Sequence, residues 1–143
     1  MSEFGAAIGL AQLCGIDDVL AARGQVAQRY QDHLGDVPGL RCVGPTGQPG
    51  HNHYAFPVLV GADYHTDRDT LHARLQANGI VSRRYFYPLI SDLGPYRHLP
   101  SAAPDLLPMA QAAAAQVLCL PLYPDLEADT QMQIIQQVLE PCA

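Results

Sequence analysis

The sequence predicts an α+β fold: a small mixed or antiparallel sheet covered by helices, preceded by an N-terminal helical arm. Three features predict it. The first 35 residues carry helical periodicity with no strand signal. The remainder alternates short runs rich in β-branched and aromatic residues with helical segments. A chain of 143 residues, 48% hydrophobic and 15% charged, is long enough for one core. Residues 1–35 therefore read as an arm, and 36–143 as an α/β sandwich.

Residues 2–14 form the first expected helix, with Ser2 as N-cap and Glu3 in the first turn, where a carboxylate meets the positive end of the helix dipole. Gly5, Ala6, Ala7, Gly9 and Ala11 give this helix a smooth face for close packing, and Gly15 breaks it. A longer helix is expected over 17–34, because Val19, Ala22, Val26, Tyr30 and Leu34 recur at spacings of three and four. Leu40 to Val43 reads as a short strand, 44–50 as a Gly/Pro-rich loop, and Tyr54 to Val60 as a strand that Pro57 confines to an edge or a bulge. Thr66 and Asp67 cap a helix carrying Leu71 and Leu75, which stops at Asn78-Gly79. Ile80 to Phe86 returns as a strand with Tyr85, Phe86 and Tyr87 at its exit. After a loop over 91–104 with a turn near Tyr96, the expectation is a helix over 105–116, a buried strand over 117–120 stopped by Pro121, and a last helix over 128–139 that buries Met132, Ile135 and Leu139.

The net charge is −6 and no run of basic residues exists, which argues against nucleic acid or an anionic membrane as partner. Apolar stretches stay well short of the ~20 residues needed to span a bilayer, and no signal-peptide pattern opens the chain, so a cytoplasmic protein is expected. Cys14, Cys42, Cys119 and Cys142 are scattered without a C-x-x-C pair and read as four reduced thiols. His51 and His53 lack the carboxylate or thiol company of a metal site, so no metal is expected. All eight basic side chains are arginines; the chain has no lysine.

Several separated blocks carry a resemblance. They are Ser2 to Leu13, Ile16-Asp17-Asp18, Arg23 to Tyr30, His53 to Val58, Gly79 to Leu89, Leu107 to Ala110, and Val117 to Leu126. In this order and spacing the chain resembles the C-terminal part of the DegT/StrS family of pyridoxal-phosphate-dependent sugar aminotransferases. The Arg-Arg-Tyr-Phe-Tyr-Pro-Leu and Leu-Cys-Leu-Pro-Leu-Tyr-Pro-Asp-Leu blocks look closest to the branch that aminates dTDP-4-keto-6-deoxy sugars.

The resemblance implies the small domain of a fold-type I enzyme, with residues 1–35 packing on a large domain that bears the cofactor site. It also implies a homo-oligomer acting on a nucleotide sugar with an amino donor. The family's Schiff-base lysine has no counterpart here, and an arginine guanidinium is too weak a nucleophile to replace it. The chain alone is therefore expected to bind no pyridoxal phosphate covalently through a side chain and to be inactive, with no catalytic residue of its own. The substrate contacts implied are Arg84 and Tyr87, which suit phosphate oxygens and a sugar or base, and the His53-Tyr54 pair. Arg83 reads instead as a solvated edge residue and Phe86 as core. The other reading left open is a non-catalytic module that docks on a full-length aminotransferase. Where the family usually caps its last helix with Ser or Thr stands Glu127, so that first turn should be weaker by up to ~1 kcal/mol unless Asp125 or Asp129 substitutes.

Overall fold

The computed structural model describes residues 2–44 and 50–141. Helices α1 (Glu3–Leu13) and α2 (Ile16–Leu34) meet at Gly15 with a bend of 56°. Ser2 caps α1 by accepting from the Gly5 N–H at 3.2 Å. No residue of α1 is buried, whereas the second half of α2 sends Val26, Ala27, Tyr30 and Leu34 into the core. The 1–35 segment is thus two different things: an uncovered helix and a core helix.

Strands β1 (Leu40–Cys42), β2 (Phe56–Val60) and β3 (Val117–Leu120) form an antiparallel sheet in the order β1-β2-β3. Strand β2 is central and pairs with both neighbours in regular register, where Pro57 argued for an edge or a bulge. The ring is accommodated because its missing donor falls where β1 ends. Toward β1, Pro57 lies opposite Val43, whose N–H bonds to the Pro57 carbonyl at 2.9 Å. Toward β3, Pro57 pairs with Cys119, whose own N–H and C=O both turn the other way, to Arg83. Neither neighbouring strand requires an N–H from this residue.

Phe56, Val58 and Val60 point to the buried face, where α2 joins α3 (Arg68–Ala77) and α5 (Ala128–Leu139) around one core. Tyr30 packs on Phe56 at 4.9 Å between ring centroids and donates its hydroxyl to the Pro121 carbonyl at 3.0 Å. Burial pushes its phenol far above the ordinary range. Gly39 is required: it has φ +75, and a Cβ there would lie 2.0 Å from the Tyr64 backbone nitrogen.

Three expected elements differ. Residues 80–86 are not a strand but a single antiparallel bridge, Arg83 to Cys119, on the free edge of β3. The Ile80 N–H is taken by the Leu75 carbonyl at the end of α3, and Ser82 is pinned to His72 at 2.7 Å, so the chain meets β3 at one residue only. Helix α4 begins at Pro108 and runs to Gln116, with a 3-10 turn over Pro104–Leu106, because proline suits a first helical position better than an interior one. Helix α5 buries Gln131, Ile134, Ile135 and Val138, while Met132 is half-buried and Leu139 exposed. The stripe is rotated because Gln131, fully buried, belongs to it: its carboxamide donates to the Val26 carbonyl at 2.8 Å and accepts from Arg29. Sequence periodicity counted that position as polar.

Candidate functional site

The substrate contacts implied by the sequence fall in three places. A cavity of about 820 Å³ opens beside β3 and takes in Tyr54 alone of the four. Its wall also carries Arg83, Tyr85 and Cys119, with Leu122 and Tyr123 from the turn after β3 and Gln133 and Gln137 from α5. Its volume lies in the range of small-molecule sites. Among the described residues Arg83 is its sole charged lining residue, in a chain that carries 14 carboxylates.

Local geometry explains the grouping. The Arg83 backbone is held to Cys119 by bonds of 3.0 and 2.7 Å, and its Nη1 donates to the Tyr85 hydroxyl at 2.9 Å. The Tyr54 and Tyr85 rings lie near-parallel, 6.5 Å apart. Hydrogen bonds from Arg83 and from the Tyr54 hydroxyl pull the Tyr85 phenol below its ordinary value, and the same contact pushes Tyr54 up. Burial raises the Cys119 thiol to about 11, so it stays protonated near neutrality. A guanidinium beside a polarised phenol can bind an anion or a sugar hydroxyl. Arg83, expected as a solvated edge residue, is exposed on the free edge of β3 and also lines this wall.

Arg84 and Tyr87 form a second group against α3. Arg84 Nη1 donates to Asp69 Oδ1 at 3.1 Å, and the Arg84 guanidinium carbon stands 5.0 Å from the centre of the Tyr87 ring. Arg68, buried to 4% exposure, stands 5.0 Å from the same ring. Its Nε is 2.8 Å from Asp69 Oδ1, and its Nη1 donates to the Ala114 and Val117 carbonyls at 3.0 and 3.1 Å. His72, on the next turn of α3, bonds Ser82; burial and then the Arg84 charge hold its imidazole below the ordinary value. Phe86, expected in the core, is instead 76% exposed. Its ring lies 5.2 Å from that of Tyr85, on the surface.

His53 stands apart from both groups, beside Gly24 of α2. Its backbone has φ 43, its N–H donates to His51 Nδ1 at 3.1 Å, and the two Nδ1 atoms are 3.2 Å apart. Burial and then the His51 charge lower its pKa. Among the described residues no group of three His, Cys, Asp or Glu side chains could hold a metal ion.

Sequence reasoning missed Arg68. Its one signal is an arginine in the first turn of a helix, where the dipole disfavours a cation unless a partner compensates.

The profile of the DegT/DnrJ/EryC1/StrS aminotransferase family matches residues 1–139. A dTDP-4-amino-4,6-dideoxy-D-glucose transaminase of Escherichia coli is 39% identical over 139 residues, 97% of this chain and 38% of the relative. A GDP-perosamine synthase of Caulobacter vibrioides is 38% identical, over 97% of this chain and 38% of its own. The chain thus spans under two fifths of the length of these curated relatives. Among solved structures, DesI, crystallised in the presence of its TDP-sugar product, superposes with a TM-score of 0.84 at 30% identity, over 96% of this chain and 34% of its own. The aminotransferase TlmJ of Streptoalloteichus hindustanus gives 0.77 at 32%, over 93% and 34%. With its profile matched almost end to end and its fold shared with these enzymes, the chain belongs to the DegT/DnrJ/EryC1/StrS aminotransferase family.

Proposed function

We propose that this segment is the small domain of a pyridoxal-phosphate-dependent aminotransferase that aminates a dTDP-4-keto-6-deoxyhexose, and that it supplies sugar-nucleotide contacts rather than cofactor chemistry. The observation that carries the reading is the cavity whose one charged wall residue is Arg83, polarising Tyr85 beside Tyr54. A cavity free of carboxylates in an acidic chain suits an anionic, hydroxyl-rich ligand. Arg84 and Tyr87 offer a second guanidinium and ring on the adjoining surface, and His53 orients the segment leading to Tyr54.

The residues present do not fit the cofactor. Its aldehyde requires a primary amine, and the chain offers no lysine, so that chemistry must come from residues outside these 143. In this reading α1 lies against the large domain, and the whole enzyme is a cytoplasmic homo-oligomer with no nucleic-acid or membrane partner. The net charge of −6 supports the last point, and among the described residues no single helix is long and apolar enough to cross a membrane. A docking module is the weaker reading, because the relatives carry this whole segment within their own chains.

The test joins residues 1–139 to the part of the Escherichia coli transaminase that they do not match. The fusion should aminate the keto sugar nucleotide. The 143-residue chain treated with pyridoxal phosphate and borohydride should gain no side-chain adduct. A folded fusion without transaminase activity would refute the assignment; an unchanged KM for the sugar nucleotide in Arg83→Ala would refute the cavity's role, and in Arg84→Ala and Tyr87→Phe that of the adjoining pair.

A further inference from the structure

We infer that Arg68 is a positioning residue that sets the Arg84–Tyr87 surface from beneath. This rests on the proposed role of that surface in sugar-nucleotide binding. A guanidinium buried to 4% exposure is costly unless it is paired and hydrogen-bonded. Here one edge is hydrogen-bonded, one face meets a ring, and Nε is ion-paired without a hydrogen bond. One edge serves the carbonyls of Ala114 and Val117, at the end of α4 and the start of β3, through Nη1 at 3.0 and 3.1 Å. Nε lies 2.8 Å from Asp69 Oδ1, an ion pair without hydrogen-bond geometry. The Tyr87 ring centre lies 5.0 Å from the guanidinium carbon.

Arg84 uses the same two partners. It takes the same Asp69 oxygen at 3.1 Å and stands the same 5.0 Å from the Tyr87 ring. One carboxylate oxygen and one aromatic ring are thus shared between a buried arginine fixed to the scaffold and a half-exposed arginine at the surface. Asp69 offsets the repulsion between the two cations, so the place of Arg84 depends on where Arg68 holds that carboxylate. Without Arg68, Asp69 is free to follow Arg84, and Tyr87 loses the ring contact that faces the protein interior. Lysine is no equivalent: an ammonium carries a point charge on a flexible stem and cannot serve two carbonyls, a carboxylate and a ring face with one planar group.

The experiment uses the active fusion described above, with Arg68→Met, Arg68→Lys, Arg84→Ala and the double variant Arg68→Met/Arg84→Ala. Arg68→Met should raise KM for the sugar nucleotide about ten-fold, on the order expected for misplacing one charge-assisted hydrogen bond. It should leave kcat and KM for the amino donor within about two-fold, and Arg68→Lys should fall between it and the wild type. The double variant should be no worse than Arg84→Ala alone, since both changes remove the same contact. A merely structural Arg68 would give additive losses that fall on kcat and on both substrates alike, which would overturn the inference. If Arg84→Ala raises KM while Arg68→Lys and Arg68→Met do not, positioning is wrong and the site assignment stands. If Arg84→Ala changes nothing, the site assignment fails and positioning fails with it. Should Arg68→Met not fold, the KM of Arg68→Lys decides: wild-type affinity would overturn the proposal.

Discussion

His72 shows how burial at a single residue becomes a pH dependence. Its imidazole is held below its ordinary value by burial and by Arg84, and Nδ1 is engaged by Ser82 at 2.7 Å. As pH falls through the ordinary imidazole range near 6.5, the unfolded chain takes up a proton that the folded chain resists. The stabilisation is complete above that range and is lost on acidification, and His53 shifts in the same sense. The urea midpoint should therefore be lower at about pH 5.5 than at about pH 7.5. His72→Gln, which keeps a partner for Ser82, should flatten the difference; an equal or higher midpoint at the acidic pH would contradict the account. Asp67, lowered chiefly by its bond from Thr70, contributes in a window further down, near the carboxylate range, and does not confuse this one.

At the scale of elements, helix ends were legible because capping is local. Ser2, Asp67 and Asn78-Gly79 sit where the sequence placed them, with Asp67 accepting from the Asp69 and Thr70 amides at 2.9 Å. Glu127 makes no side-chain cap bond to α5, so Glu127→Ser should stabilise the fold by about 1 kcal/mol, read as a raised urea midpoint at constant slope. The misread elements are those decided by partners distant in sequence. Strand β2 became central because Val43 and Cys119 leave Pro57 unneeded as a donor, and 80–86 was detached from the sheet by bonds to α3. The candidate site was legible in part for the same reason. Arg84 and Tyr87 do adjoin, but what joins them is Asp69 and Arg68, about 15 positions back, and no periodicity links those residues. Gln131 shows the converse: a polar side chain reads as surface until its two partners on α2 are known.

At the scale of the molecule, the outstanding feature is α1, which buries nothing and exposes Phe4 (76%), Leu10 (67%) and Leu13 (62%). Apolar surface of this kind tends to find a partner, and in the 143-residue chain by itself the available partner is a second copy. Light scattering at micromolar concentration should show more than the 15.5 kDa of a monomer, and Leu10→Glu should shift it toward the monomer. A monodisperse monomer before any substitution would refute this.

The bend at Gly15 brings one further consequence, for chemical labelling. Cys14, immediately before it, is exposed, whereas burial raises the Cys42 and Cys119 thiols to about 11. In a Cys142→Ser background, a maleimide near neutral pH should mark Cys14 well ahead of the other two. With no lysine in the chain, amine-reactive dyes are restricted to the α-amino group. Cys14 is thus a selective thiol handle at the joint between α1 and α2. An environment-sensitive dye at Cys14 would report on the end of α1, and a change in its emission on adding the rest of the enzyme would show that this end of α1 becomes covered.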